Sequence, residues 1–154
     1  VKLPISIGNL RALKELYLWN NQLDSMPNSI TKLKNLEILR LGGNNLNQLP
    51  QNIDGLVNLK ELLLWGNNLT MLPNQIGLLP NLEILGVVCN KLYELPDTIV
   101  YLKNLKFLYL WGNTLENITK RQKKWLTELE AKGCKVIHER KKRFNKQDRT
   151  YNQN

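Results

Sequence analysis

Leu16, Leu39, Leu62, Leu85 and Leu108 stand 23 residues apart, and no other feature constrains the chain so tightly. The same interval relates Leu13, Leu36, Leu59, Leu82 and Leu105, and again Leu23, Leu46, Leu69, Leu92 and Leu115. Leu18, Leu41, Leu64 and Leu110 keep it too, with Val87 as a mild substitution in the fourth unit. Asn21, Asn44, Asn67, Asn90 and Asn113 occupy one position without exception. Each unit reads LxxLxLxxNxL and runs on into LPxxIxxL, as in "LPQNIDGL", "LPNQIGLL" and "LPDTIVYL". A repeat of this length marks units that cannot bury their apolar faces alone and must stack to share one core.

The letters follow from that stacking. The period-2 pair Leu16 and Leu18 points inward from a short strand and leaves residues 15, 17 and 19 on the other face. The fixed Asn substitutes for strand pairing where the chain turns away, its amide bonding backbone groups that would otherwise be buried unpaired. Pro27, Pro50, Pro73 and Pro96 open the outer segment, where a missing N–H costs little. That segment, Ser29–Leu33 for example, is expected to form one short helical or 3₁₀ turn anchored by Ile30 and Leu33. The expected fold is an α/β repeat: a right-handed solenoid with a parallel concave sheet and short helical or 3₁₀ convex segments.

The ends need separate treatment, because an open solenoid exposes its core at both. Residues 1–118 read as five repeats, the first entered mid-repeat at Leu3-Pro4, which calls for upstream residues or another molecule over that end. Residues 119–139, "TKRQKKWLTELEAKGCKVIHE", read as a C-terminal cap. Thr119 with Gln122 resembles a capping box, and Gly133 a helix stop. Trp125, Leu126 and Leu129 supply an apolar face over Leu115 and Ile118, and "KVIH" supplies an edge strand discouraged from further pairing by Lys135, Glu139 and Arg140. Residues 140–154 read as a basic polar tail.

The hydrophobic content of 42% over 154 residues suits one domain with a core. The net charge of +9 belongs to one end. Residues 1–118 hold 10 Lys/Arg against 9 Asp/Glu, whereas residues 119–154 hold 12 against 4. No apolar run approaches the roughly 18 residues that cross a bilayer. Two cysteines, Cys89 and Cys134, make no disulfide framework.

Units phrased "LKELYLWNNQL…LPNSI" resemble the small bacterial leucine-rich repeat proteins found in numbers in spirochaetes, and the spacing is also similar to intracellular eukaryotic repeat proteins related to Ras signalling. The resemblance implies a non-enzymatic binding scaffold, often secreted or surface-associated, with a protein partner that includes host proteins, and it carries no catalytic residues to transfer. One departure from a uniform consensus stands out. "LKELYLWNNQL", "LKELLLWGNNL" and "LKFLYLWGNTL" recur every 46 residues, while units two and four share "LEIL", as if a two-repeat block had been duplicated.

On the expected concave face, the position after the second strand leucine reads Trp19, Gly42, Trp65, Val88, Trp111. Two residues earlier stand Tyr17, Arg40, Leu63, Gly86 and Tyr109, and before them Glu15, Ile38, Glu61, Ile84 and Phe107. Alternate parallel strands lie about 9.6 Å apart, so two indoles over a glycine or valine floor would leave a slot about one ring wide. Aromatics on a face that needs none for its core mark an interaction site. Tyr17, Trp19, Trp65, Tyr109 and Trp111 are the candidate anchors, Glu15, Arg40 and Glu61 set the charge register, and Leu63 and Phe107 complete the patch. The competing reading folds the indoles down as cover over strand ends. Self-association of the chain, glycan stacking on the tryptophans and polyanion binding by the tail are further readings.

The other constellations are weaker. Phe144 and Tyr151 in the basic tail could stack on bases, but the composition suits a solvated end equally well, and nucleic acid is disfavoured. Cys134 and His138, four apart, lack the further ligands a zinc site needs, and His138 is the only histidine. Cys89 stands where other units have glycine or asparagine and is expected to be a half-buried small residue. "NLT" at Asn68 and "NIT" at Asn117 match glycosylation sequons that an Asn-rich repeat produces by chance. Glu15 and Glu61, roughly 10 Å apart on an open face, are placed badly for acid–base work. No enzyme activity, metal or cofactor is called for.

Overall fold

The computed structural model describes residues 1–138. Glu139, Arg140, Phe144 and Tyr151, to which the sequence assigns edge-strand and tail roles, lie outside the described residues. Six parallel strands follow one another in sequence order: β1 (Glu15–Tyr17), β2 (Ile38–Arg40), β3 (Glu61–Leu63), β4 (Ile84–Gly86), β5 (Phe107–Tyr109) and β6 (Lys135–Ile137). The register keeps equivalent repeat positions opposite one another, so Leu16, Leu39, Leu62, Leu85 and Leu108 form one row that Val136 continues. A 23-residue period and an exact neighbour-to-neighbour register are the same statement in sequence and in space.

One 3₁₀ segment on the convex side precedes each of the strands β1 to β5. These segments are Ile5–Asn9, Asn28–Lys32, Ile53–Gly55, Asn74–Leu78 and Asp97–Tyr101. Pro27, Pro73 and Pro96 stand just before three of them in extended conformation, as a residue without a donor can. Ile30 and Leu33 are fully buried beneath the second segment. Between sheet and 3₁₀ layer lies one continuous core, with Leu39, Leu62, Leu85 and Leu108 at zero exposure. In the first repeat Leu13, Leu16 and Leu18 are only half-buried.

The fixed asparagines do the work expected of them. Asn67 accepts from the Leu46 N–H at 3.0 Å and donates to the Leu41 and Leu64 carbonyls, each at 3.0 Å. Asn44 and Asn90 repeat the pattern, and all three are buried. Each amide thus ties three backbone groups drawn from neighbouring turns, which is why the residue type never varies. Asn21 and Asn113, at the two ends of the column, are more exposed.

A second asparagine column escaped the reading of the sequence. Asn35, Asn58, Asn81 and Asn104 donate to the carbonyls of Arg11, Lys34, Val57 and Pro80, all 24 residues back, at 2.8–3.0 Å. Its signal was available, since these asparagines also recur every 23 residues. A third column follows the Trp row: Asn20, Gly43, Gly66, Cys89 and Gly112 all have positive φ, between 52° and 74°. Only glycine adopts that conformation without cost, and Asn tolerates it. Cys89 is therefore a turn residue, and it is exposed rather than half-buried.

Helix α1 (Lys120–Ala131) closes the far end. Thr119 and Gln122 form the capping box, with the Thr119 hydroxyl accepting from the Gln122 N–H and the Gln122 side chain accepting from the Thr119 N–H. Trp125, Leu126 and Leu129 are buried against the last repeat, and the Trp125 indole donates to the Leu102 carbonyl at 3.1 Å. Gly133, at φ 89°, turns the chain back into β6, which pairs with β5.

Candidate functional site

The sheet register brings the predicted residues into rows across the concave face. Glu15, Ile38, Glu61, Ile84, Phe107 and Lys135 form one row; Tyr17, Arg40, Leu63, Gly86, Tyr109 and Ile137 form the next. Trp19, Gly42, Trp65, Val88 and Trp111 continue just beyond the strands. All ten candidates stand in these rows, but their environments differ sharply.

The first half of the face is polar and internally paired. The Tyr17 hydroxyl donates to Glu15 Oε2 at 2.7 Å. The Arg40 guanidinium lies 5.2 Å from the centroid of the Tyr17 ring, and its Nε donates to Glu61 Oε1 at 2.5 Å. The hydrogen bond to Glu15, partial desolvation and the Glu15 charge together push the Tyr17 phenol above its ordinary pKa, with Arg40 pulling the other way. Glu61 is buried and held by Arg40. The open carboxylate expected there is in fact the covered half of an ion pair.

The second half is apolar. Phe107 and Tyr109 stack with centroids 6.2 Å apart and planes 9° from parallel. Phe107, Tyr109 and Trp111 are each half-buried, and Leu63 is buried. Leu63 leans over Gly86, where an added Cβ would stand 2.8 Å from its Cδ2.

The tryptophans are not equivalent. The Trp65 indole lies on Gly42 of the preceding repeat, its Cε2, Nε1 and Cδ2 occupying the space a Gly42 side chain would need. The slot expected between Trp19 and Trp65 is therefore filled by Trp65 itself. An indole is too large to stand free beside a bare glycine when it can remove both from water by lying down. Trp19 has no such resting place in an earlier repeat and stays 43% exposed, with Tyr17 beside it at 46%. The exposed aromatic surface is thus concentrated at Tyr17 and Trp19 and thins along the row.

The 46-residue alternation also governs charge, which the sequence reading passed over. The residue before each of the strands β1 to β5 reads Lys14, Glu37, Lys60, Glu83, Lys106. Lys60 bonds Glu37 and Lys106 bonds Glu83, both at 2.7 Å, with Lys14 and Glu37 3.9 Å apart. In a register where equivalent positions touch, a strict 23-residue repeat would stack like charges; the doubled period stacks opposite ones. Glu37 is accordingly held below the usual carboxylate range by its bond to Lys60, and Lys60 is raised in turn.

Among the described residues no three His, Cys, Asp or Glu side chains gather to hold a metal ion. Cys134 is buried in the cap, where burial raises its thiol pKa, and His138 is exposed. No helix among the described residues is long and apolar enough to cross a membrane.

The leucine rich repeat family pattern matches residues 11–69. An LRR protein of Leptospira interrogans is 32% identical over 94% of this chain, with a TM-score of 0.64, and 42% of its own length is covered. The plant peptide hormone receptor RGFR1, solved in complex with RGF2, is 33% identical over 90% of this chain, with a TM-score of 0.78. The LRR ectodomain of the Arabidopsis thaliana membrane receptor kinase GASSHO1/SCHENGEN3, solved with CASPARIAN STRIP INTEGRITY FACTOR 2, is 30% identical over 90%, with a TM-score of 0.77. The chain spans only 22% and 17% of those two receptor chains. No curated protein matches. On the period, the sheet register, the family pattern over residues 11–69 and these structures, the chain has the leucine-rich repeat solenoid fold and is similar to the small bacterial leucine-rich repeat proteins.

Proposed function

We propose that the chain is a non-enzymatic scaffold that binds a protein partner on its concave face, with Tyr17 and Trp19 as the primary anchors. The observation that carries this is their exposure: two large aromatics, 46% and 43% exposed, sit side by side on the concave face of the first repeat. Glu15, Arg40 and Glu61 are prearranged around Tyr17 by their own bonds, so binding there orders few side chains. Phe107, Tyr109 and Trp111 offer a second, flatter apolar contact, and Leu63 and Trp65 support the surface from below. The peptide and protein partners in the structures of RGFR1 and GASSHO1/SCHENGEN3 support a binding role for this repeat architecture.

The test is affinity capture with the chain and with Tyr17→Ser/Trp19→Ser, followed by titration calorimetry against the purified partner. The paired substitution should abolish capture while leaving the melting transition in place. A partner retained equally by both forms would sink the concave-face reading. Light scattering over a concentration series separates this from self-association, in which the parent grows with concentration and the variant does not.

A further inference from the structure

The convex side carries a second surface, unrelated to the sheet. Two outward columns run along it at the 23-residue period: Lys32, Gly55, Leu78, Tyr101, Lys124, and Arg11, Lys34, Val57, Pro80, Lys103. Their middle members are apolar and stand in solvent, with Leu78 52%, Tyr101 51% and Val57 38% exposed. The core is already filled beneath them by Ile53, Ile76 and Ile99, so packing does not require these side chains. Leu78 and Tyr101 are brought together because Gly77 lets its 3₁₀ segment approach the next one so closely that a Cβ would collide with the Thr98 carbonyl.

Cations close both ends of this apolar stripe. Towards the first repeats, Arg11, Lys32, Lys34, Asn52 and Gly55 line a shallow cleft in which Asp54 is the one acid. Lys34 is fixed there by donating to the Gly55 carbonyl at 2.9 Å. At the other end the Arg121 guanidinium lies 5.5 Å from the Tyr101 ring centroid, and Lys124, three residues on, shares its helix face. Arg121 stands in the first turn of α1, which holds no acid, and opposes the helix dipole, so local helix stability does not explain it, whereas Lys124 pairs with Glu128 one turn on at 3.8 Å.

We propose that this convex stripe docks on an anionic phospholipid bilayer. Leu78, Tyr101 and Val57 would enter the headgroup–acyl boundary while the cleft cations, Arg121 and Lys124 meet lipid phosphates. A bilayer presents an anionic layer over an apolar one along the whole stripe, which is the complement of apolar side chains flanked by cations. The attachment is peripheral and leaves the sheet free for a partner, so it stands independently of the concave-face proposal.

Vesicles of phosphatidylcholine alone and of an equimolar mixture with phosphatidylglycerol, sedimented with the full chain, provide the test. The parent should partition onto the mixed vesicles only. Leu78→Ser/Tyr101→Ser, at positions exposed enough to spare the fold, should lower that partition by about tenfold, the effect expected for losing two half-buried apolar contacts. Lys32→Glu/Lys124→Glu should lower it comparably, and Trp19→Ala should leave it unchanged. Leu78→Trp should retain binding and gain fluorescence that bromine-labelled acyl chains quench. No preference for the mixed vesicles, or equal partition of the parent and the Leu78→Ser/Tyr101→Ser form, would overturn the proposal; the latter outcome assigns the attraction to charge alone, as would an acidic protein that competes without acyl contact.

Discussion

The Trp65 indole rests on Gly42, one repeat earlier, filling the space that any side chain at that position would take. The pairing accounts for one step of the row: the Trp65 ring needs an empty floor in the unit before it, which Gly42 supplies, whereas Trp111 follows Val88. Two tryptophans at equivalent repeat positions thereby differ in environment, Trp65 packed into the fold and Trp19 left 43% exposed.

Gly42→Ala should therefore destabilise the chain by about 1–3 kcal/mol, the usual range for overpacking, because its Cβ meets the Trp65 ring. Trp19→Ala, at an exposed position, should stay within about 0.5 kcal/mol of the parent. Urea denaturation followed by circular dichroism distinguishes the two. Equal stability of Gly42→Ala and parent would mean that the ring stands clear of the glycine.

Arg40 and Glu61 make a further contrast. Glu61 is buried with Arg40 as a partner at 2.5 Å, so Arg40→Met should cost about 2–4 kcal/mol by leaving a covered carboxylate unpaired. Adding Glu61→Gln to that variant should restore most of the loss. A double variant no more stable than Arg40→Met would show that the guanidinium matters through its packing on Tyr17 instead.

The Tyr17 phenol titrates high chiefly because it donates to Glu15. Its raised pKa means that the stabilisation is fully present below the ordinary phenol pKa and is lost as pH rises through the raised one. In Glu15→Gln the Tyr17 ionisation should move down towards the ordinary value. The difference between the ultraviolet absorbance titrations of parent and variant reads the shift; superimposable curves would remove the hydrogen bond from the account.

The two thiols should separate by accessibility. Cys89 is exposed, whereas Cys134 is buried with its pKa raised by burial and by Glu130. A thiol-reactive chromophore at neutral pH should titrate one cysteine in the native protein and both in denaturant. Cys89→Gly should abolish the native reaction and, because φ is 52° there, raise the melting temperature. Loss of stability in that variant would instead assign the Cys89 side chain a packing role.

The sequence by itself determined the period, and with it the strand register, the buried asparagine column, the 3₁₀ layer and the capping box at Thr119. Each of these is set by residues at fixed separations, and a stacked repeat converts fixed separation directly into contact. What it left undecided was how far side chains lean from one unit into the next. That lean put Trp65 on Gly42 and Leu63 over Gly86, enclosed Glu61 behind Arg40, and left Tyr17 and Trp19 as the exposed pair. Rotamer choice depends on the space neighbouring repeats leave, so the rows were legible in the letters while the division between cover and open surface was decided only by tertiary packing.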